Sequence, residues 1–202
     1  MAATSAATTT AGGAARFIVC LVLLGFALVS SVSAHMMMAN PPPRRSKNSP
    51  FYVQQGLVDY DMTAPLGSSK PFPCRGFPTG PTTFTVQAGQ AIPVQIEGSA
   101  THQGGHCQFS ISYDGGRTFV VLQTVMSECL RGSGNSFMVT IPATAPPAES
   151  AVFSWSWINR LGAREYYQNC ADIRIEGGVL DGSISGPELF VANLAGYPTI
   201  PE

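Results

Sequence analysis

The chain has 202 residues, enough for one domain with a substantial core, and its formal net charge is −1. Only 11% of the residues are charged and no basic stretch occurs, which argues against nucleic acid as a partner, because phosphate binding needs a positive surface. The 21 glycines and 16 prolines favour frequent turns over long helices.

Residues 1–34 have the pattern of a secretory signal peptide. Arg16 precedes an apolar run at 17–29 that is too short to span a bilayer, and Val32 and Ala34 fit the −3 and −1 positions of a cleavage site. Cleavage there would make His35 the first residue; an uncleaved anchor is the alternative. We therefore expect a secreted, extracellular protein that has no membrane attachment after processing.

Cysteine usage agrees with an oxidising compartment. Cys20 belongs to the signal segment, and four cysteines remain: Cys74, Cys107, Cys129 and Cys170. An even number in a secreted domain predicts two disulfides, for which three pairings exist. No Cys-x-x-Cys pair occurs, so a structural zinc site is not expected.

The next segment, residues 35–80, has no sustained apolar period, and we predict an extended, irregular stretch lying on a scaffold formed elsewhere. Short β-rich runs bounded by turn residues then predict seven strands, at 82–87, 91–96, 107–113, 117–126, 136–141, 151–158 and 170–176. This pattern is typical of an all-β, antiparallel sandwich of immunoglobulin or fibronectin III type with long irregular loops. We expect residues 35–202 to form one monomeric domain, with the Gly- and Pro-rich tail at 177–202 wrapped around it.

Inside one predicted strand, Phe153, Trp155 and Trp157 alternate with Ser154 and Ser156. This period of two predicts one apolar face and one polar face.

The three histidines of the chain are His35, His102 and His106. An amino-terminal histidine offers a metal two nitrogens, its α-amine and its ring, and the amine loses its proton at modest cost. Another imidazole completes a planar set of three nitrogens, which favours Cu(II) over zinc or magnesium. Taken singly, His102 or His106 is equally well explained as a surface histidine bonded to the backbone.

A polar cluster at 157–170 follows the strand with the two tryptophans, in the predicted loop before the last strand. A tyrosine oxygen there could lie on a metal axis, and Glu165 could orient an oxygen species or water. Alternatively, Tyr166 and Tyr167 are core residues with satisfied hydroxyls.

These segments carry a resemblance to a known family. His35-Met-Met-Met-Ala-Asn-Pro, Phe72-Pro-Cys, His102-x-Gly-Gly-x-Cys-Gln, the 155–170 segment and Gly186-Pro-Glu-Leu-Phe-Val-Ala-Asn occur in the order found in auxiliary activity family 11 lytic polysaccharide monooxygenases. Through these motifs taken together, the sequence resembles these fungal, chitin-active copper enzymes over most of residues 35–195.

The resemblance implies a role for particular residues. His35 and His102 would form a histidine brace around one copper ion, with Tyr167 as the axial tyrosine and Glu165 as the carboxylate near the oxygen site. His106 stands where the family has a glycine or another small residue, and it and Arg164 are candidates for residues around the ligands. The resemblance also implies disulfides Cys74–Cys170 and Cys107–Cys129.

The leading functional hypothesis is oxidative cleavage of chitin or a similar crystalline polysaccharide by a copper monooxygenase. An external electron donor would be required, because no Gly-x-Gly-x-x-Gly motif for a flavin or nicotinamide follows a strand. Two alternatives use the same sequence features. One is a copper-acquisition protein, in which Met36, Met37 and Met38 could supply thioethers; the other is a chitin-binding protein without catalysis.

Overall fold

A computed structural model describes residues 1–2, 35–132 and 134–201. Residues 3–34, which include almost all of the predicted signal peptide and the residues before its cleavage site, lie outside these described residues. The chain divides into two compact units, Met1–Ser31 and Val32–Glu202, and every element below belongs to the second. Among the described residues, no helix is long and apolar enough to cross a membrane.

The second unit is almost entirely β-structure arranged in two sheets. One sheet has three strands in the order β1-β3-β6, and the other has five in the order β2-β8-β7-β4-β5. The strands are β1 (Met36–Asn40), β2 (Phe84–Gln87), β3 (Ala91–Gly98), β4 (Gly105–Ser112), β5 (Val120–Val125), β6 (Ser136–Thr140), β7 (Ala148–Asn159) and β8 (Tyr166–Glu176). A short helix, α1 (Pro50–Gln54), and a 3-10 turn at Cys74–Gly76 lie between β1 and β2.

This architecture confirms the all-β sandwich, with three differences from the prediction. Residues 35–80 are not wholly irregular, since they contain β1 and α1. The last strand begins at Tyr166 instead of residue 170, so both tyrosines lie on β8 and not in a loop. The sandwich is not purely antiparallel either, because β2 pairs with β8 in parallel register.

Strand β1 was not predicted, because its sequence does not alternate between apolar and polar residues. Met36, Met37 and Met38 are all buried, so both faces of the strand are covered and no period of two is visible. The strand pairs with β3 in antiparallel register, from Met36 opposite Gly98 to Asn40 opposite Gln95.

The predicted alternation of β7 is present, but its polar face is not solvent-exposed. Phe153, Trp155 and Trp157 belong to the main core. On the opposite face, Ser154 and Ser156 are also buried, below 4% exposure. That face is covered by a second apolar cluster that includes Leu66 from the segment after α1, and Leu189, Val191 and Ala192 from the tail. The tail therefore packs on the five-stranded sheet, as its composition suggested.

Three covalent or ionic ties hold the long segment between β1 and β2 and the loops to the sheet. The disulfides are Cys74–Cys170, across a separation of 96 residues, and Cys107–Cys129, the same pairing that the family resemblance implies. Arg44 and Asp172 form a buried, two-pronged ion pair, with Nε and an Nη atom 2.8 and 2.6 Å from the two carboxylate oxygens. Cys74–Cys170 and the Arg44–Asp172 pair fix the segment along β8, and Cys107–Cys129 ties the loop after β5 to β4.

Candidate metal centre

The predicted site residues lie at the same end of the sandwich because of strand direction. His35 immediately precedes β1, which begins opposite the end of β3. His102 lies in the connection from β3 to β4. Strand β4 begins at Gly105, opposite Asn159 at the end of β7, and β8 begins at Tyr166, opposite Ile158. Glu165 and Tyr167 are therefore at this end too.

His102 has one ring nitrogen engaged and the other available. Its Nδ1 lies 2.5 Å from the carbonyl oxygen of Leu161, so Nδ1 carries the proton and donates it to that oxygen. Its Nε2 then bears a lone pair, and this atom is buried without a hydrogen-bond partner in the described part of the chain. Metal-bound histidines show this arrangement, with one nitrogen on the metal and the other donating to a carbonyl.

Two glycines shape the loop that carries His102. Gly104 has a φ of 98°, and a Cβ there would lie 2.9 Å from the carbonyl oxygen of Ser127. A Cβ on Gly105 would lie 2.1 Å from the carbonyl oxygen of Ile158. Side chains at these positions would push the loop away from both neighbouring segments, which explains the Gly-Gly pair between His102 and Cys107.

His35 is held through its backbone. Its carbonyl oxygen accepts a hydrogen bond of 3.1 Å from the amide of Ser99. Gly98 makes this close approach feasible, since a Cβ there would lie 1.8 Å from the same oxygen. The histidine is thus fixed against the end of β3, immediately before the loop of His102.

Tyr167 is buried and packs in a row with two other rings. Its ring centroid lies 4.7 Å from that of Trp157, which in turn lies 6.1 Å from the imidazole of His102. The hydroxyl of Tyr167 donates a hydrogen bond to Oε2 of Glu165. Burial raises the pKa of Tyr167 well above its usual range, and the adjacent carboxylate raises it further. The phenol therefore keeps its proton at physiological pH.

Asn159 organises the hairpin between β7 and β8, a role that sequence reasoning missed. Its Nδ2 donates to the carbonyl oxygens of Leu161 and Ala163, at 3.0 and 2.7 Å, and its Oδ1 accepts from the amide of Glu165 at 3.0 Å. The same Leu161 oxygen accepts from His102. Asn159 therefore supports His102 and Glu165 together; an asparagine at a strand end before a loop was its only sequence signal.

The two secondary candidates, His106 and Arg164, are hydrogen-bonded to the backbone of loops near the site. His106 is the second residue of β4 and points to the face opposite Cys107, and its Nδ1 accepts a hydrogen bond of 3.2 Å from the amide of Ser127. Arg164 donates from its guanidinium to the carbonyl oxygens of Asn159 and Arg160. Both side chains support loops around the site, and in the described residues neither is hydrogen-bonded to His102.

In the described part of the chain, no three side chains of the types His, Cys, Asp and Glu converge as a metal cage. A brace needs only two such side chains, because its third nitrogen is an α-amine. The buried, partnerless Nε2 of His102 fits this donor set. Two imidazoles and an amine suit copper better than zinc or magnesium.

No family model matches the chain. Curated relatives do, and they share one family name. The chain is 43% identical over 182 residues to AA11 family lytic polysaccharide monooxygenase A of Aspergillus fumigatus, covering 86% of this chain and 80% of the relative. It is 31% identical to an AA11 family lytic polysaccharide monooxygenase of Aspergillus oryzae, covering 88% of this chain but only 46% of that protein. A third relative, lytic polysaccharide monooxygenase B of A. fumigatus, is 29% identical and is covered over 48% of its length.

Two solved structures are similar at low identity. The crystal structure of HiLPMO9B has a TM-score of 0.49 at 13% identity and covers 76% of this chain and 80% of its own. A cellulose-active polysaccharide monooxygenase from M. thermophila has a TM-score of 0.48 at 14% identity, with coverages of 77% and 80%. The 43% sequence identity to lytic polysaccharide monooxygenase A, and not the structural similarity, shows that the chain belongs to the AA11 family of lytic polysaccharide monooxygenases.

Proposed function

We propose that the mature chain is a secreted, copper-dependent monooxygenase that cleaves a crystalline polysaccharide oxidatively, with chitin as the substrate implied by the family. Its first residue would be His35, released by cleavage after Ala34. The chain spans about half the length of two of its curated relatives, so these proposals concern the part shared with them.

The observation that carries this proposal is the state of His102. Burying an imidazole nitrogen without a partner is unfavourable, since the desolvated lone pair is left unsatisfied. A metal ion bound at Nε2 would remove this cost, while the hydrogen bond from Nδ1 to Leu161 keeps the ring oriented. The ring and the new α-amine of His35 would supply the other two nitrogens.

Copper bound there would supply the redox chemistry, fed by an external electron donor. The protein residues have separate tasks. Tyr167 presents a protonated phenol at the site, because burial disfavours its phenolate. Glu165 holds the proton-accepting end of that hydrogen bond, and its amide is fixed by Asn159. Glu165 is thus positioned to hold or accept a proton next to the ligands without being one of them.

The copper-acquisition alternative loses one of its supports. Met36 and Met38 belong to the main core, and all three methionines after His35 are at most 3% exposed. Met36 and Met38 therefore pack between the sheets, and Met37 is buried on the other face of β1, so none of the three thioethers is displayed as a soft ligand for Cu(I). A chitin-binding protein without catalysis would need no metal, so this alternative does not account for the buried, partnerless Nε2 of His102.

The test uses protein secreted and processed so that His35 is the first residue. Copper-loaded protein is incubated with β-chitin or with cellulose in the presence of ascorbate, and the soluble products are analysed by mass spectrometry. We expect oxidised oligosaccharides from chitin, and none when copper is removed by chelation. Consumption of reductant without oxidised products from any polysaccharide would overturn the proposed function in favour of copper binding alone.

A further inference from the structure

A buried hydrogen bond joins the two sheets close to the candidate metal centre. The backbone amide of Met38, on β1, donates to Oδ1 of Asn169, on β8, at 2.7 Å. Both residues are at most 1% exposed. The bond connects residues 131 apart in sequence, and β1 and β8 belong to different sheets.

This bond meets a structural need of β1. The strand has a single neighbour in its sheet, β3, so its other edge must find hydrogen-bond partners elsewhere. Met38 is fully buried, so bulk solvent does not reach its amide. The side-chain carbonyl of Asn169, from the facing sheet, accepts the hydrogen bond instead. Asn169 is held for this task, because its Nδ2 donates to the carbonyl oxygens of Gln168 and Met62, at 2.9 and 3.4 Å.

The position of the bond relates it to the site. Met38 is three residues after His35, about 10 Å along a strand, and Asn169 is two residues after Tyr167, about 7 Å along β8. Tyr167 and Asn169 lie opposite Trp157 and Trp155 in the β7–β8 register, on the inward face of the sheet. The bond therefore fixes the distance between β1, which follows His35 directly, and β8, which carries Tyr167.

We propose that Asn169 is a positioning residue that sets where the amino terminus lies relative to His102 and Tyr167, and so determines the affinity of the site for copper. The amide of Ser99, just after β3, bonds to the carbonyl oxygen of His35, and the bond from Met38 to Asn169 links β1 to the five-stranded sheet. Without the Asn169 bond, β1 could shift against the five-stranded sheet while keeping its pairing with β3. The inference rests on the proposed function, because the ligand it concerns is the brace copper.

Gln168 provides a matched control on the same strand. It is fully buried, points to the opposite face, and bonds through both ends of its amide, to the Cys74 amide at 2.8 Å and the Ser154 hydroxyl at 2.9 Å. Asn169→Leu and Gln168→Leu each remove a buried amide of β8, but only the first cuts the bond to β1. Asn169→Asp is a further variant that keeps an oxygen acceptor for Met38.

The experiment measures three quantities on processed protein: Tm without metal, amide hydrogen exchange at Met38 without metal, and copper affinity by chelator competition. We expect Asn169→Leu and Gln168→Leu both to lower Tm. Only Asn169→Leu should accelerate exchange at Met38 and weaken copper binding, by about 10-fold or more, as for other residues that orient metal ligands. Asn169→Asp should retain Met38 protection and copper affinity despite a lower Tm.

Equal losses of copper affinity in the two leucine variants would overturn the inference, since Asn169 would then act through general stability. Unchanged exchange at Met38 in Asn169→Leu would overturn it as well, and so would loss of affinity in Asn169→Asp with the amide still protected. If Asn169→Leu does not fold, Asn169→Ala, which also removes the acceptor of the Met38 amide, replaces it in all three measurements. Absence of copper binding in the unsubstituted protein would instead refute the proposed function, and Met38 exchange would remain a separate measure of the bond between β1 and β8.

Discussion

The hydroxyl of Tyr167 donates its hydrogen bond to the carboxylate of Glu165, two residues earlier at the start of β8. Asn159 holds the backbone of Glu165, because its Oδ1 accepts from the Glu165 amide and its Nδ2 donates to two carbonyl oxygens of the hairpin. The pair combines a phenol that burial keeps neutral with an acceptor that is only partly buried. This asymmetry supports the proposed role of Glu165, rather than the tyrosine, as the group that holds or accepts a proton.

Glu165→Gln should therefore separate catalysis from metal binding. Gln keeps an oxygen that can accept from Tyr167 but cannot take up a proton at neutral pH. We expect copper affinity close to that of the unsubstituted protein and a fall in oxidised chitin products of about 100-fold or more, as for loss of a general acid or base. The pKa of Tyr167 should also decrease, because one of the two causes that raise it is the carboxylate. Loss of copper binding in this variant would instead make Glu165 a ligand.

Substitution of His102 and of His106 should have very different effects on copper affinity. His102→Ala removes the prepared Nε2 and should abolish tight copper binding, leaving only the nitrogens of His35. His106→Ala removes the acceptor of the Ser127 amide and should affect the 126–130 loop more than the metal. Isothermal titration with Cu(II) under matched conditions distinguishes the two variants. A comparable loss of affinity in both would mean that the ligand assignment is wrong.

Alkaline pH should destabilise the protein in a way that depends on Tyr167. Its pKa is raised in the folded state by burial and by Glu165, whereas in the unfolded chain it lies near ~10. Below that pH both states hold the proton, and the contribution of the Tyr167 phenol to the free energy of unfolding is fully present. Above it the unfolded chain loses the proton while the folded state keeps it, so the free energy of unfolding decreases as the pH rises. Tyr167→Phe should weaken this dependence in urea denaturation at a series of pH values from neutral to alkaline. Tyr60→Phe, in a ring that is 88% exposed, is the control and should follow the unsubstituted chain.

The sequence predicted those parts of this structure that depend on local periodicity and on residue types. All seven predicted strands exist, because alternation and turn residues are properties of short segments. Strand β1 was missed, since the coverage of both its faces depends on segments far away in the chain. The sequence shows Gly104 and Gly105 close after His102, but only the structure gives the reason, in the near contacts that a Cβ would make at both positions.

The roles of Asn159 and Asn169 could not be predicted from the sequence, for a related reason. Asn169 bonds to Met38 across 131 residues, and no local pattern indicates such a pair. Asn159 acts within its own hairpin, but its bonds depend on the loop conformation and not on spacing alone. The position of Tyr167 on a strand, instead of in a loop, likewise followed from pairing with Trp157. Candidate ligands can thus be proposed from the sequence, whereas the residues that would orient them are found only in the fold.

The strictest test concerns the amino terminus. A chain that retains Ala34 before His35 keeps both imidazoles, the Ser99 bond and the Met38–Asn169 bond, but its α-amine nitrogen becomes an amide. An amide nitrogen has no basic lone pair to offer Cu(II), so one of three nitrogens is lost while the fold is unchanged. We expect the extended chain to bind copper at least as poorly as His102→Ala, with an unaltered Tm in the absence of metal. Chelator competition on the mature and extended chains measures this directly. If both bind copper equally, the amino terminus is not a ligand, and the brace, together with the proposed function, must be abandoned.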